Sequence, residues 1–205
     1  MPATNCPCPR ALARVNACQA RQSRQAGATI VEFALLMGMF FLVMFSIIEI
    51  ARVMFIFNAV YDGTRRAASA ASVTDPADTA ALAQIRQGAV YRTSAGTLAL
   101  SPEIRDDAIR IDYLWMEKGT DGNFTLKPIS SGSSWNANQN RKQCVIDPYS
   151  ADCARFVRVR LCDPAVASSC DPVQFKTLTT LLPFTLPINF STTITPLQSS
   201  GFTSN

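Results

Sequence analysis

Residues 30–57 read IVEFALLMGMFFLVMFSIIEIARVMFIF, and the fold follows first from what this stretch lacks. Positions 33–48 carry no charge, and the apolar character resumes after Glu49 through residue 57. As a helix, 30–57 is about 42 Å long, longer than the bilayer's hydrocarbon core of about 30 Å, so it spans and still protrudes. A core helix of a soluble domain shows a polar stripe, whereas this one is apolar on every side for about four turns. A cleaved secretory signal has an apolar region of about 7–15 residues and a small-residue cleavage site after it; neither fits. A lipoprotein reading of Val15-Asn16-Ala17-Cys18 fails because no apolar stretch precedes it.

The rest of the 205 residues suffices for one modest domain. The net charge of +4 is concentrated at the front, where the first 27 residues hold Arg10, Arg14, Arg21 and Arg24 and no acid. With those four set aside, the 19 basic residues fall to 15, equal to the 15 acidic ones. A nucleic-acid partner needs a clustered basic face, so none is expected. Histidine is absent, which removes Ser-His-Asp and Cys-His catalysis and His-ligated metal sites. Four arginines before the apolar run against Arg52, Arg65 and Arg66 at its far end place the N-terminus on the cytoplasmic side.

The cysteines support that orientation. Cys6, Cys8 and Cys18 precede the apolar run, while Cys144, Cys153, Cys162 and Cys170 follow it as an even set, as in a periplasmic, disulfide-forming compartment. Zinc is the competing reading, but the short Cys-x₂₋₄-Cys chelate is missing. Four cysteines allow three pairings, and the sequence does not choose between them.

At the mouth of the apolar run the chain reads Arg24-Gln25-Ala26-Gly27-Ala28-Thr29-Ile30-Val31-Glu32-Phe33. This resembles the prepilin peptidase site of type IV pilins. The resemblance implies a cut between Gly27 and Ala28, which makes Glu32 the fifth residue of the mature chain and places Glu32 and Phe33 in the assembly segment. An ionised carboxylate inside a membrane helix costs about 2.5–3.5 kcal/mol and needs a partner; the freed Ala28 amine of a neighbouring subunit is one. Standing alone, Glu32 reads better as an interfacial acid favoured by the helix macrodipole; the basic leader, Gly27, small Ala28 and the apolar helix beside it favour the pilin reading. Beyond the apolar run, residues 57–71 (FNAVYDGTRRAASAA) complete a pattern similar to the TadE-like family of pilus-assembly proteins: a GAxxVEFA start, an apolar helix ending in an acid and an Arg, and an Ala-rich continuation. The resemblance covers roughly residues 24–71 and departs from the family at Thr64-Arg65-Arg66-Ala67-Ala68, where an Arg-Glu-Gly-Ala-Arg type sequence is common.

The remainder reads as an α+β domain. The first helix ends before Asp75-Pro76; Asp75 as N-cap and Pro76 at the first position open a second helix over 76–92, with Leu82, Ile85 and Ala89 on one face. Ile109, Ile111, Tyr113 and Trp115 alternate with Arg110, Asp112, Leu114 and Met116 at strand spacing. A turn over 118–123 and a return strand over 124–129 follow, then an exposed loop over 130–143. Val157, Val159 and Leu161 form another strand, whose arginines Arg158 and Arg160 face solvent, and Ile188, Phe190, Thr192 and Ile194 a late one, so the sheet is antiparallel. Pro164, Pro172, Pro183 and Pro187 break the connections between them. Glu49 and Arg52, three apart, form an interfacial ion pair with a snorkelling arginine. Trp115 and Trp135 are packing residues. Asp106-Asp107 and Asp147/Asp152 lack a nucleophile-base context.

The expected architecture is therefore a basic cytoplasmic leader (1–27) cleaved after Gly27, a transmembrane assembly helix (28–74) and a periplasmic α+β domain (75–205), with no cofactor, no metal and no catalytic residue. The resemblance implies a minor pilin or pseudopilin of a Tad-type (type IV) pilus. Removing 27 of 205 residues leaves 178, more than the major pilins of this class retain. It also implies a prepilin peptidase, other pilins, the inner-membrane assembly platform and membrane lipid as partners. The alternative is an uncleaved single-pass scaffold of an envelope secretion apparatus; a membrane-tethered enzyme is the third reading.

Overall fold

Between Glu49 and Ala71 the buried positions of the first helix recur at helical spacing: Glu49, Arg52, Ile56, Ala59, Val60, Thr64, Ala67, Ala68 and Ala71. Positions three and four apart lie on one helix face, so this stripe is a packing surface. The computed structural model describes residues 10–129, 135–166, 169–177, 185–188 and 191–198, with side chains from residue 27 onward. Helix α1 runs Arg10–Ala71 and crosses from one compact unit, Met1–Ile48, into a second, Glu49–Asn205.

The second unit is α+β. Its element order is α1, α2 (Thr79–Ala89), β1 (Thr97–Leu98), β2 (Ser101–Arg105), β3 (Ile109–Lys118), β4 (Phe124–Pro128), α3 (Ala137–Ile146), β5 (Phe156–Leu161), β6 (Val173–Lys176), β7 (Thr185–Ile188) and β8 (Thr192–Pro196). An antiparallel sheet of order β4-β3-β5-β8 is flanked by two small hairpins, β1-β2 and β6-β7. The α1 stripe shares one core with Val90, Ile104, Ile109, Val157, Val159, Leu161, Phe175 and Ile188. Small side chains on α1 permit close approach: a Cβ built at Gly63 would collide with the Ala89 carbonyl oxygen. A backbone atom cannot swing aside, so glycine is required there.

The second helix starts later than its sequence suggests. Asp78, not Asp75, is the N-cap, accepting from the Ala81 N–H. Asp75 is occupied elsewhere: its Oδ1 accepts from Ala77 N at 3.0 Å and Ala137 N at 3.1 Å, tying the turn after α1 to the start of α3. Helix α3 replaces much of the loop expected over 130–143, of which 130–134 lie outside the described residues. It has no apolar period because side-chain bonds hold it. Asn136 caps Gln139 N, and Asn140 exchanges two hydrogen bonds with the Ala154 backbone.

Two disulfides are present, Cys144–Cys153 and Cys162–Cys170. In the chain-entropy picture each short closed loop contributes about 2–3 kcal/mol. The first fixes α3 to the entry of β5; the second closes the connection between β5 and β6.

The strand readings need three corrections. Leu114 is fully buried although it lies on the face opposite Ile109 and Ile111, so both faces of β3 are covered there. Ile188 and Thr192 belong to different strands, β7 pairing with β6 and β8 with β5; Phe190 and Pro183 lie outside the described residues. Arg158 and Arg160 do not face solvent independently: their Nη2 atoms both donate to Asp112 Oδ2, at 2.9 and 2.6 Å. Trp135 does pack, 5.4 Å from the Tyr113 ring, with its indole N–H donating to the Asp152 carbonyl.

Two expected outcomes test this packing. Gly63→Ala should destabilise the folded domain by about 1–3 kcal/mol through overpacking, measured by thermal unfolding. Tyr113 donates its hydroxyl to the Ala71 carbonyl at 3.3 Å, and burial, with the Asp75 charge adding to it, pushes its phenol well above the ordinary value. A raised folded-state pKa means that this stability is present below about pH 10 and is lost as pH rises further. Tyr113→Phe should therefore cost at most about 1 kcal/mol at neutral pH and flatten the alkaline fall, read from chemical denaturation at pH 7 and above 10.

Candidate functional site

The candidate site has two parts, the free stretch of α1 and the buried charge cluster at the beginning of the second unit. In the first, residues 27–48 are helical and nearly all exposed. Ile30, Leu35 and Met39 are each about 70% exposed. The most apolar 18-residue window of Gly27–Ala71 has a mean hydropathy of 2.4 and is 6% buried, so the described residues leave it uncovered. From 28 to 48 the helix rises about 31 Å, the thickness of a hydrocarbon core. The candidate span therefore closes at Ile48, and the protrusion expected for residues up to 57 is instead the core helix of the folded domain.

Gly27, Ala28, Glu32 and Phe33 all lie on this exposed helix. Nothing lies within 4 Å of a Cβ built at Gly27. No change of secondary structure separates Gly27 from Ala28, since α1 is continuous from Arg10. Ala28 and Glu32, four apart, share a helix face.

In the second part, the structure overturns the interfacial reading of Glu49 and Arg52. Both are buried, at 3% and 5% exposure. Arg52 Nε donates to the Leu100 carbonyl at 2.6 Å and Nη1 to the Lys176 carbonyl at 2.9 Å. Its Nη1 lies 3.5 Å from Glu49 Oε2 and its Nη2 3.9 Å from Glu103 Oε2, and its Cζ sits 4.6 Å from the Phe175 ring centroid. Ser101 Oγ donates to Glu103 Oε2 at 3.0 Å, fixing that carboxylate. Leu100, Glu103, Lys176 and Phe175 were not identified from sequence, because they lie 48 to 124 positions from Arg52 and no local spacing links them. The usable signal was Arg52 itself, a charge that an apolar helix does not retain without partners.

A third cluster sits where α1 meets α2. Asp62 pairs with Arg66 at 2.7 Å and accepts from the Tyr91 hydroxyl at 2.9 Å, while Arg66 stacks over the Tyr91 ring. Tyr91 has φ 58° in the position after the helix that glycine commonly takes; these contacts hold it there. Its phenol is raised above the ordinary value by burial and by the hydrogen bond to Asp62.

Three of the four remaining acids singled out in the sequence have structural partners for their carboxylates. Asp106 Oδ1 accepts from Gly96 N, Asp107 pairs with Arg105 and Asp147 accepts from Tyr149 N. Among the described residues no three His, Cys, Asp or Glu side chains gather as a metal site requires.

Among the described residues, one exposed apolar helix leads into one folded α+β domain and is the single candidate membrane span. Residues 27–69 match the family model described as TadE-like protein, so this segment of α1 is TadE-like and points to pilus assembly. No curated protein and no solved structure matches the chain. The match takes in the free helix, the Glu49–Arg52 pair and Gly63, and stops before the sheet.

Arg52→Met should leave the Glu49 and Glu103 carboxylates in a buried site without their cation, at a cost of about 3–5 kcal/mol. Arg52→Met combined with Glu49→Gln and Glu103→Gln should recover part of that loss. Denaturant midpoints of the folded domain read both.

Proposed function

We propose that the chain is a minor pilin of a Tad-type pilus, anchored by residues 28–48 in the bacterial inner membrane with its leader in the cytoplasm and its α+β domain in the periplasm. The observation that carries this reading is the TadE-like match over 27–69 on a helix whose apolar surface up to Ile48 is left uncovered by the described residues. Such a surface is stable in lipid, and it is equally suited to packing against identical helices once they leave lipid.

In this reading prepilin peptidase cuts between Gly27 and Ala28, at the start of an exposed stretch of helix. The Ala28 amine then meets Glu32 of an adjacent subunit. Within a low-dielectric bundle that pair fixes the axial register, because an isolated carboxylate at that depth is unfavourable. The assembly platform and other pilins are the remaining partners. Two disulfides within the described residues favour an oxidising compartment for the domain, which supports the orientation derived from the arginines.

The role is that of a structural subunit, with the folded domain carried on the helix. The acids outside the helix serve turns and ion pairs rather than a reacting centre.

Intact-mass measurement on protein extracted from native membranes should show a chain beginning at Ala28. Retention of the arginine-bearing leader would instead favour the uncleaved scaffold. Glu32→Gln should leave membrane insertion unchanged and reduce incorporation into pili by tenfold or more, given about 2.5–3.5 kcal/mol for an intramembrane charge; normal incorporation, scored by immunoblot of sheared filaments, removes the register role of Glu32.

A further inference from the structure

A groove of about 650 Å³ lies between α3 and the end of β8, a volume in the range of ligand pockets. Val145, Phe156, Pro196 and Leu197 give it an apolar lining, and Arg141 and Arg155 line it with no acidic side chain beside them. Its two walls are tied together: the Cys144–Cys153 disulfide and the pair of hydrogen bonds between Asn140 and the Ala154 backbone hold α3 to the entry of β5. Little ordering is therefore left for a ligand to impose.

The strand that forms one wall is also an edge of the main sheet. The Leu197 N–H donates to the Arg155 carbonyl at 2.8 Å, so antiparallel alternation turns the main-chain groups of residues 193, 195 and 197 toward β5 and those of Thr192, Ile194 and Pro196 away from it. Among the described residues nothing accepts from the Thr192 and Ile194 N–H groups. Protein edges are commonly blunted by charge; the exposed side chains here are Thr192 and Ile194, the latter 47% exposed, and neither is charged. Phe156 and Pro196 are cross-strand partners that share a sheet face, and both line the groove. Every second side chain of a strand added beside β8 stands on that same face, next to Pro196.

We infer that the β8 edge and the α3 groove together form a docking site for an extended, acidic segment of another protein. The segment's main chain pairs with β8, one of its apolar side chains enters the groove, and its carboxylates meet Arg141 and Arg155, the mode in which a free edge supplies affinity and a neighbouring pocket supplies specificity. Charge selects this occupant. A second copy joined edge to edge would present Thr192–Pro196, which holds no acid to meet the arginines. A small amphiphile fits less well, because Val145 is 81% exposed and the groove does not enclose most of a ligand's surface as a small-molecule site does; a protein brings its own surface to complete the burial. The inference rests on the folded second unit alone and is independent of the membrane reading of α1.

The test uses the full chain in detergent and labelled, end-blocked peptides of the pattern Thr-Glu-Thr-X-Thr-Glu-Thr, with X in turn Val, Leu, Phe and Trp, so that X and both Glu share one strand face. Fluorescence anisotropy should show at least one of them binding with a Kd below about 1 mM. Its Gln-for-Glu analogue should bind about fivefold more weakly, and its analogue N-methylated at every residue should not bind. Arg141→Gln combined with Arg155→Gln should lose the same factor of about five, and Ile194→Pro, which removes an outward N–H and leaves the ladder to β5 in place, should also weaken binding about fivefold. Thermal unfolding checks each variant, and the N-methylated peptide reads the main-chain pairing without altering the protein. No binding by any peptide, equal affinity for the Glu and Gln forms, or undiminished binding of the N-methylated form overturns the inference. So does self-association that Ile194→Pro abolishes, and so does binding that appears only when the chain is ended at Gln198, which would assign the groove to residues 199–205 of the chain itself.

Discussion

A guanidinium taken out of water needs partners for its donors and its charge, and Arg52 draws them from three parts of the chain, with Nη2 left to an ion-pair contact at 3.9 Å and no hydrogen bond. Main-chain carbonyls of Leu100 and Lys176 accept from it, the Glu49 and Glu103 carboxylates lie within 4 Å, and the Phe175 ring covers it. These partners lie on three elements: Glu49 on α1 itself, Leu100 and Glu103 on the β1-β2 hairpin, and Phe175 and Lys176 on β6. The cost of burying a charge is large enough that these elements are constrained together. The apolar stripe from Ile56 to Ala71 then carries the same helix across the main sheet.

The constraint also divides α1 by function. From 27 to 48 its side chains are nearly all exposed; from Glu49 the buried ones follow the three-and-four spacing of a packed face. Glu49 and Arg52 mark the change. An acid and an arginine in an otherwise apolar helix thus act as the first contacts of the folded domain rather than as markers of water.

Much of the architecture was legible in the sequence, for identifiable reasons. The uncharged run at 33–48 and the period-two alternation of β3 and β5 are local signals, and the structure contains those elements. The burial stripe between 49 and 57 was hidden because the residues off the stripe are also apolar, so periodicity had no contrast. Helix α3 was missed because its stability comes from Asn136, Asn140 and a disulfide rather than from an apolar face. The strands β1 and β2 are too short to show a period, and Asp75 was given to α2 when its carboxylate in fact bridges to α3. Gly27, Ala28, Glu32 and Phe33 are the opposite case, conspicuous as a linear motif and simply exposed on α1 in the fold; the proposed processing of this segment needs accessibility rather than tertiary partners.

The connectivity of the cross-links has a consequence for how the domain is made. Cys144 joins Cys153 and Cys162 joins Cys170, so the two loops neither overlap nor nest, and each partner is the next cysteine along the chain. A chain emerging from its N-terminal side presents each thiol to its correct mate before the next pair appears. On the proposed export of the domain, oxidation in order of emergence pairs each cysteine with its next neighbour along the chain.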